Sequence, residues 1–145
     1  MAVPVTITGV NLNVTNMGSC RMGPFRSSAG NFYGVFRDST DATLLDIYRA
    51  TDPTDSWSQI ASLDVGTANI INWSAHQVGD NLHIAVLDTA ALTYSVFSMA
   101  TDSFTTSNEA TGATPVVTDG NNKCGITLRS DGDIIIMYNG AVDTI

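Results

Sequence analysis

Residues 31–38 read NFYGVFRD, and the same kind of stretch returns twice further along the chain. NLHIAVLD occupies residues 81–88, an offset of 50 positions, and DIIIMYNG occupies residues 133–140, a further 52 positions on. A turn signal precedes each stretch, namely SSAG, VGD and SDG. Each stretch then runs apolar over the length of a short strand. The chain therefore contains a tandem repeat of roughly fifty residues.

The similarity extends to both sides of these stretches. LLDIYRATD at residues 44–52 aligns with YSVFSMATD at residues 94–102, again at an offset of 50, with Ala-Thr-Asp identical. In this alignment Trp57 corresponds to Phe104, and the connecting turn of the second unit is 3 residues shorter. Upstream, CRMGPFR, NWSAHQV and CGITLR hold comparable places ahead of the three stretches.

Short apolar runs interrupted by turn residues predict strands and no helix. The predicted strands of the three units lie near residues 20–26, 31–38, 43–50 and 57–63, then near 72–78, 81–88, 93–100 and 103–107, then near 124–129 and 133–138. The second unit has a further extended piece at residues 114–118. Residues 3–14 alternate apolar and polar side chains and predict a strand that precedes the first unit.

Four short antiparallel strands in each repeat are typical of one blade of a β-propeller. We therefore predict a single all-β domain over residues 1–145, a partial β-propeller of about two and a half blades. Its predicted parts are a strand at 3–14, blades at 20–63 and 72–118, and a partial blade at 124–145.

Composition excludes several classes of partner. The net charge is −8, and the chain has only 6 basic residues, too few for a patch that binds nucleic acid phosphates. No apolar run reaches the roughly 18 residues of a membrane span. The first residues lack the basic and apolar regions of a signal peptide. All acidic residues except Glu109 are aspartates, which favour turns over helices.

The cysteines and histidines predict neither a metal site nor a cofactor. Cys20 and Cys124 lie far apart, and no Cys/His spacing matches a zinc site. Two small buried thiols are our preferred interpretation, and one disulfide is the alternative. His76 and His83 fall in adjacent predicted strands and are read as ordinary satisfied or solvated side chains.

The stretch ATDPTDSW at residues 50–57 resembles the Asp-box of sialidase and BNR-repeat β-propellers, whose pattern is Ser-x-Asp-x-Gly-x-Thr-Trp. Asp52 falls on the motif aspartate, and Ser56 and Trp57 fall on its Thr-Trp pair. Such an aspartate can accept hydrogen bonds from backbone N–H groups of the turn. The tryptophan that follows can cover the gap between sheets with a large apolar ring. The box is therefore predicted to be structural.

A calcium site is the alternative use of these acids, because calcium binds clusters of oxygen ligands. Its candidate ligands are Asp38, Asp41, Asp52 and Asp55.

The segment CRMGPFRSSAGNFYGVFRD also resembles the opening of a sialidase first blade. The resemblance implies that Arg21 and Arg37 take the places of strand-borne arginines, and that Arg21 grips a sialic acid carboxylate by bidentate hydrogen bonds. Asp46 begins the similar segment DIYRATDPTDSW and completes the ligand-binding candidates. The family has Arg-x-Pro where this chain has Arg-Met-Gly-Pro. The structural alternative pairs the two arginines with Asp38 or Asp46.

The residues that the family uses for catalysis are not visible here. The resemblance implies a tyrosine nucleophile activated by a glutamate, but the only glutamate lies in the predicted loop SNEATG. The 4 tyrosines all fall inside predicted strands. We therefore predict a non-enzymatic binding or structural module, with glycan as a candidate ligand. The alternative is the N-terminal part of a sialidase-like glycoside hydrolase.

Two and a half blades cannot close a ring, because propellers have about four to eight. Unpaired terminal strands seek partners. We therefore expect a homo-oligomer, or completion by the remainder of a longer chain, with the N-terminal strand of one copy completing the last blade of another. Such a module suits a surface, virion or fibre component, extracellular or virion-associated.

Overall fold

A computed structural model describes residues 22–54, 56–111 and 122–138, and the regular elements in these ranges are all strands. The predicted strands at 3–14 and 114–118, together with Cys20, Arg21 and the end of the third unit, lie outside the described residues. In chain order the strands are β1 (Phe25–Arg26), β2 (Phe32–Arg37), β3 (Leu44–Ala50), β4 (Ser58–Asp64), β5 (Ile70–Val78), β6 (Asn81–Asp88), β7 (Leu92–Ser98), β8 (Ser103–Ala110), β9 (Cys124–Leu128) and β10 (Ile134–Tyr138).

The strands form two four-stranded antiparallel sheets and one hairpin. Strands β1 to β4 make the first sheet in sequence order, β5 to β8 make the second sheet, and β9 pairs with β10. For the described residues, the prediction of all-β structure with four antiparallel strands in each complete unit is confirmed. The first strand is shorter than predicted, because residues 22–24 are not part of β1.

Aspartates and glycines build the turns, as the composition predicts. The Asp38 carboxylate accepts hydrogen bonds from the backbone N–H groups of Thr40 and Asp41. Asp88 does the same for the two residues at corresponding places in the second unit. Gly30 and Gly132 both have φ near 90° at the ends of the β1–β2 and β9–β10 turns. Equivalent turns at 50-residue offsets explain why the repeat is visible in the sequence.

The strand pairing corrects one part of the sequence alignment. Tyr33 pairs with Arg49 in the first sheet, and His83 pairs with Val96 in the second. The second strands are therefore related by 83 − 33 = 50 positions, but the third strands by 96 − 49 = 47. The difference arises in the loop before the third strand, which is residues 38–43 in one unit and 89–91 in the other. The two Ala-Thr-Asp segments are consequently not equivalent.

The first and second sheets pack face to face across a shared core. Because side chains alternate along a strand, one face of the first sheet presents Tyr33, Val35 and Ile47 to the second sheet. Trp73 on β5 is almost fully buried in this interface. Its indole N–H donates to the backbone carbonyl of Val35 at 3.0 Å, which joins the two sheets directly.

The opposite face of the second sheet packs against the β9–β10 hairpin. Ala85 and Leu87 from β6 contact Cys124 and Ile126 from β9 in a second apolar cluster. The fully buried Asn72 accepts a hydrogen bond from the Cys124 backbone N–H at 2.9 Å. The three units therefore follow one another in a stack, in the order first sheet, second sheet, hairpin.

Trp57 is buried, but not in the interface between these two sheets. It packs with Phe36, Tyr48 and Ala50 in a separate cluster on the face of the first sheet that turns away from the second. The prediction that its ring covers the gap between the sheets is wrong for this pair. The reason is the strand register, because Trp57 occupies the position that Phe104 has in the second sheet. Phe104 lies on the face of the second sheet that meets the first sheet, so the equivalent face of the first sheet is the one that turns away from the second.

Candidate functional site

The predicted ligand residues Arg37 and Asp46 do not form one site. Arg37 ends β2 on the face that meets the second sheet, and its guanidinium Nη1 donates to the Ile70 carbonyl at 2.7 Å. Asp46 pairs in register with Phe36, one residue earlier, so its side chain lies on the opposite face of the same sheet. Arg21, the third candidate, lies outside the described residues.

The structural alternative for Arg37 is also different from the expectation. Arg37 is 8% exposed, and it makes no ion pair with Asp38 or Asp46 among the described residues. The guanidinium Nε finds no hydrogen-bond acceptor in the same ranges. Arg37 therefore fastens the first sheet to the start of β5 through a backbone carbonyl.

Asp46 belongs to a small polar cluster that includes a second carboxyl group. Its Oδ1 accepts hydrogen bonds from the Gln59 amide at 2.9 Å and the Ser62 hydroxyl at 2.6 Å. Burial raises the pKa of Asp46, whereas hydrogen bonds from Thr40 and from backbone N–H groups lower the pKa of Asp38. Of these two carboxyl groups, Asp46 is therefore the one that holds a proton more readily.

Replacing Asp46 with asparagine is expected to leave the free energy of unfolding at pH 7 unchanged or higher. The folded protein raises the pKa of Asp46, so it binds this proton more tightly than the unfolded chain does. The wild type therefore gains stability as the pH falls through the raised pKa toward 3.8. The difference between the free energies of unfolding of the wild type and the variant becomes smaller over this range. Urea denaturation of both proteins at pH 7 and pH 4.5 measures this difference. A variant that is much less stable at pH 7 contradicts this expectation.

The residues of the Asp-box resemblance behave as a structural turn. The Asp52 carboxylate accepts hydrogen bonds from the Thr54 backbone N–H at 2.8 Å and from the Thr54 hydroxyl at 2.6 Å. These bonds, the hydroxyl first, lower the pKa of Asp52. Ser56 is exposed and Trp57 is buried directly ahead of β4. In the described ranges no group of three potential ligands could hold a metal ion, so the proposed calcium alternative has no cluster there.

Asp102 makes a connection between sheets that the sequence did not predict. It lies in the β7–β8 turn, accepts a hydrogen bond from the buried Tyr33 hydroxyl at 2.8 Å, and forms an ion pair with Arg49. The Tyr33 hydroxyl also lies 2.9 Å from the Met99 carbonyl. Burial, and then Asp102, raise the pKa of Tyr33. The sequence shows only that Asp102-Ser103-Phe104 matches Asp-Ser-Trp at residues 55–57 at an offset of 47, which does not indicate a contact with Tyr33.

A groove lies at the end of the stack, where the hairpin ends before the second sheet does. As far as the structure describes the chain, the hairpin has two strands and the second sheet has four, so β7 and β8 extend past β10. The space between them is a groove of about 420 Å³, which we call the open groove. Its lining is mostly apolar and includes Leu92, Tyr94, Glu109, Ile134, Ile136 and Tyr138.

Strand β10 forms one wall of the open groove and is the outer strand of its hairpin among the described residues. Within the described ranges it pairs with β9 alone. Its sequence IIIMY carries no charge, yet Ile134 is 42% exposed and Met137 is 65% exposed. An apolar, uncharged edge of this kind lacks the charged residues that usually discourage pairing with another strand.

Tyr94, which lines the open groove, is paired with a histidine from the neighbouring strand. His83 on β6 lies with its Nδ1 2.7 Å from the hydroxyl of Tyr94, and the two rings stack. Burial, and then the neighbouring His76, lower the pKa of His83. Burial, and then the Glu109 charge, raise the pKa of Tyr94. The pair is therefore neutral at pH 7, which suits an apolar surface.

The His83 pair predicts a loss of stability in mild acid. The folded protein lowers the pKa of His83 below 6.5, so between the two values the unfolded chain binds more protons. The free energy of unfolding therefore falls as the pH drops through and below 6.5. In a His83→Gln variant, the free energy of unfolding is expected to fall less steeply between pH 7 and pH 5.5 than in the wild type, as measured by urea denaturation. Equal slopes in the two proteins contradict the assignment. His76→Gln is expected to keep most of the slope, because burial is the larger cause of the lowered His83 pKa and His76 the smaller.

No apolar helix of membrane-spanning length occurs in the part of the chain that the structure describes. Comparison with protein-family models, with curated proteins and with solved structures finds no match.

Proposed function

We propose that the chain is a non-enzymatic structural module of the β-propeller type, which works by assembling with other copies of itself or with further repeats. The observation that carries the proposal is the unequal number of strands at the end of the stack. In the described ranges, two complete four-stranded units are followed by two strands, whose outer edge and neighbouring groove are apolar and exposed. Exposed surface of this kind marks interaction sites.

The repeat supports the propeller part of this proposal. Successive four-stranded meanders pack face to face, and the face that each sheet turns toward the next is built from equivalent positions, such as Val35 and Ala85. A propeller continues such packing around an axis until the ring closes. The described residues make two and a half such units, which do not close a ring, and in this proposal other copies or further repeats supply the rest.

The same features favour a surface, virion or fibre component, in an extracellular or virion-associated setting. Head-to-tail repetition of one interface builds rings or filaments. Glycan binding is a weaker proposal, because Arg37 and Asp46 lie on opposite faces of the first sheet. We therefore base the proposed function on assembly.

Light scattering coupled to size exclusion tests the proposal. We expect masses that are multiples of the 15.3-kDa chain and that grow with protein concentration. Because each copy carries a net charge of −8, added salt screens the repulsion and is expected to favour assembly. A single 15.3-kDa species at all concentrations and salt levels overturns the proposal. Turnover of a fluorogenic sialoside favours the glycosidase instead.

A further inference from the structure

We infer that His76 and His83 together form a binding site for one late first-row transition metal ion, of the group Ni²⁺, Cu²⁺ and Zn²⁺. The inference goes beyond the proposed assembly and does not depend on it. It has three supports, which are the register of β5 and β6, the accessibility of both imidazoles, and the hydrogen bond that orients His83.

The strand register places the two histidines opposite each other. Strands β5 and β6 are antiparallel neighbours, and His76 pairs directly with His83. Directly opposed residues of such a pair lie on the same face of the sheet, with Cβ atoms about 4.5–5.5 Å apart. The sequence shows only that the two residues are 83 − 76 = 7 positions apart, a spacing that matches no metal-binding motif. Only the pairing of the strands shows that they are neighbours.

The two imidazoles lie on an accessible part of the second sheet. Leu82 and Ile84, on either side of His83 in β6, are buried against the first sheet, so His83 lies on the other face. Ala85 continues this face and is fully buried under the β9–β10 hairpin. His76 and His83, by contrast, are both partly exposed. A metal ion can therefore reach both side chains from solvent.

The ring of His83 is held in place by Tyr94. Its Nδ1 lies 2.7 Å from the Tyr94 hydroxyl, and the two rings stack with their centroids 6.1 Å apart. When Nδ1 donates its proton to this hydroxyl, Nε2 carries the lone pair that a metal ion needs. Metal-binding histidines almost always have a hydrogen-bond partner on the second ring nitrogen, which fixes the tautomer and the ring orientation. His83 is therefore oriented to act as a ligand through Nε2.

Two imidazole nitrogens define the class of ion that the site takes. Imidazole suits zinc, copper and nickel, whereas Mg²⁺ and Ca²⁺ prefer oxygen ligands. Two nitrogens on one tetrahedral ion stand roughly 3.3 Å apart, a separation that opposed histidines can reach by rotation of their side chains. No third His, Cys, Asp or Glu joins them in the part of the chain that the structure describes. Water, or a group from another molecule, therefore completes the coordination.

Isothermal titration with NiCl₂ tests the inference, in excess MgCl₂ because Mg²⁺ occupies the carboxylates of this acidic chain. We expect one Ni²⁺ ion per chain, and tighter binding when CuCl₂ replaces NiCl₂. His76→Gln and His83→Gln are each expected to raise the dissociation constant by about tenfold or more, because the second imidazole acts at a high effective concentration. The double variant is expected to bind no more weakly than either single variant.

A matched control keeps two histidines in the chain but separates them. His76→Gln combined with Ser58→His moves one imidazole to an exposed position on β4 in the first sheet. This protein has the same number of histidines as the wild type and is expected to bind Ni²⁺ as weakly as His76→Gln alone. Tight binding of one ion by this control overturns the inference, because it shows that the pairing of the two histidines is not required.

Two further outcomes also overturn the inference. If the wild type binds two ions and each single variant retains one, the histidines act independently. If the wild type and the double variant bind Ni²⁺ equally well, other groups hold the ion. Far-UV circular dichroism verifies the fold of each variant. If His83→Gln does not fold, the comparison of the wild type with His76→Gln decides, because both imidazoles are required for tight binding.

Discussion

Replacing Trp73 with alanine is expected to lower the free energy of unfolding by about 3–5 kcal/mol. The indole is 2% exposed, and it fills the interface between the two complete sheets. Its removal leaves a cavity that strands on both sides cannot collapse into. It also leaves the Val35 carbonyl without the indole N–H that donates to it at 3.0 Å. Urea denaturation followed by far-UV circular dichroism measures the change.

Two control variants separate the contributions to this effect. Trp73→Phe keeps most of the apolar contact but lacks the N–H donor. Its free energy of unfolding should therefore decrease by less than that of the alanine variant. Val78→Ala changes an exposed residue of the same strand and is expected to stay within about 0.5 kcal/mol of the wild type. A Trp73→Ala protein about as stable as the wild type contradicts the proposed packing of the sheets.

Replacing Asn72 with alanine is expected to cost about 1–3 kcal/mol and to loosen the β9–β10 hairpin selectively. The Asn72 side chain is fully buried, and its Oδ1 accepts the Cys124 backbone N–H at 2.9 Å. Without it, this N–H is buried and loses that acceptor. Amide hydrogen exchange should therefore speed up more in residues 124–138 than in the first sheet.

The control for this variant is Cys124→Ala, which keeps the backbone bond to Asn72 and removes only the thiol contacts to Asn72 and Ala85. Its hairpin should exchange more slowly than that of Asn72→Ala. Uniform acceleration across both sheets in Asn72→Ala contradicts the assignment, because it indicates global rather than local loss of stability.

The strand content of the chain was predictable from local chemistry. NFYGVFRD and NLHIAVLD each follow a turn signal and end at an aspartate, and they became β2 and β6 with Asp38 and Asp88 closing equivalent turns. Turn residues act within a few positions of themselves, through carboxylate bonds to nearby N–H groups or through positive φ at glycine. Such effects are encoded locally, so a sequence reading can find them.

The candidate site was much less predictable. Arg37 and Asp46 were grouped through a family resemblance, yet they lie on opposite faces of one sheet because their strands pair in a register that separates them. The alignment of the two Ala-Thr-Asp segments placed the three-residue length difference after the third strand. In the structure, the difference lies in the loop before the third strand. A shift of this size changes the face on which every following side chain lies.

The sequence by itself determined that this chain is a repeat of short antiparallel strands joined by aspartate and glycine turns. Only the tertiary structure decided which faces meet, that Trp73 rather than Trp57 joins the two sheets, that Asp102 ties the second sheet to Tyr33, and that β10 borders an open groove. The physical reason is the sequence separation over which the interactions act. Turn formation depends on neighbours in sequence, whereas sheet packing depends on strand register and on residues some 40–70 positions apart.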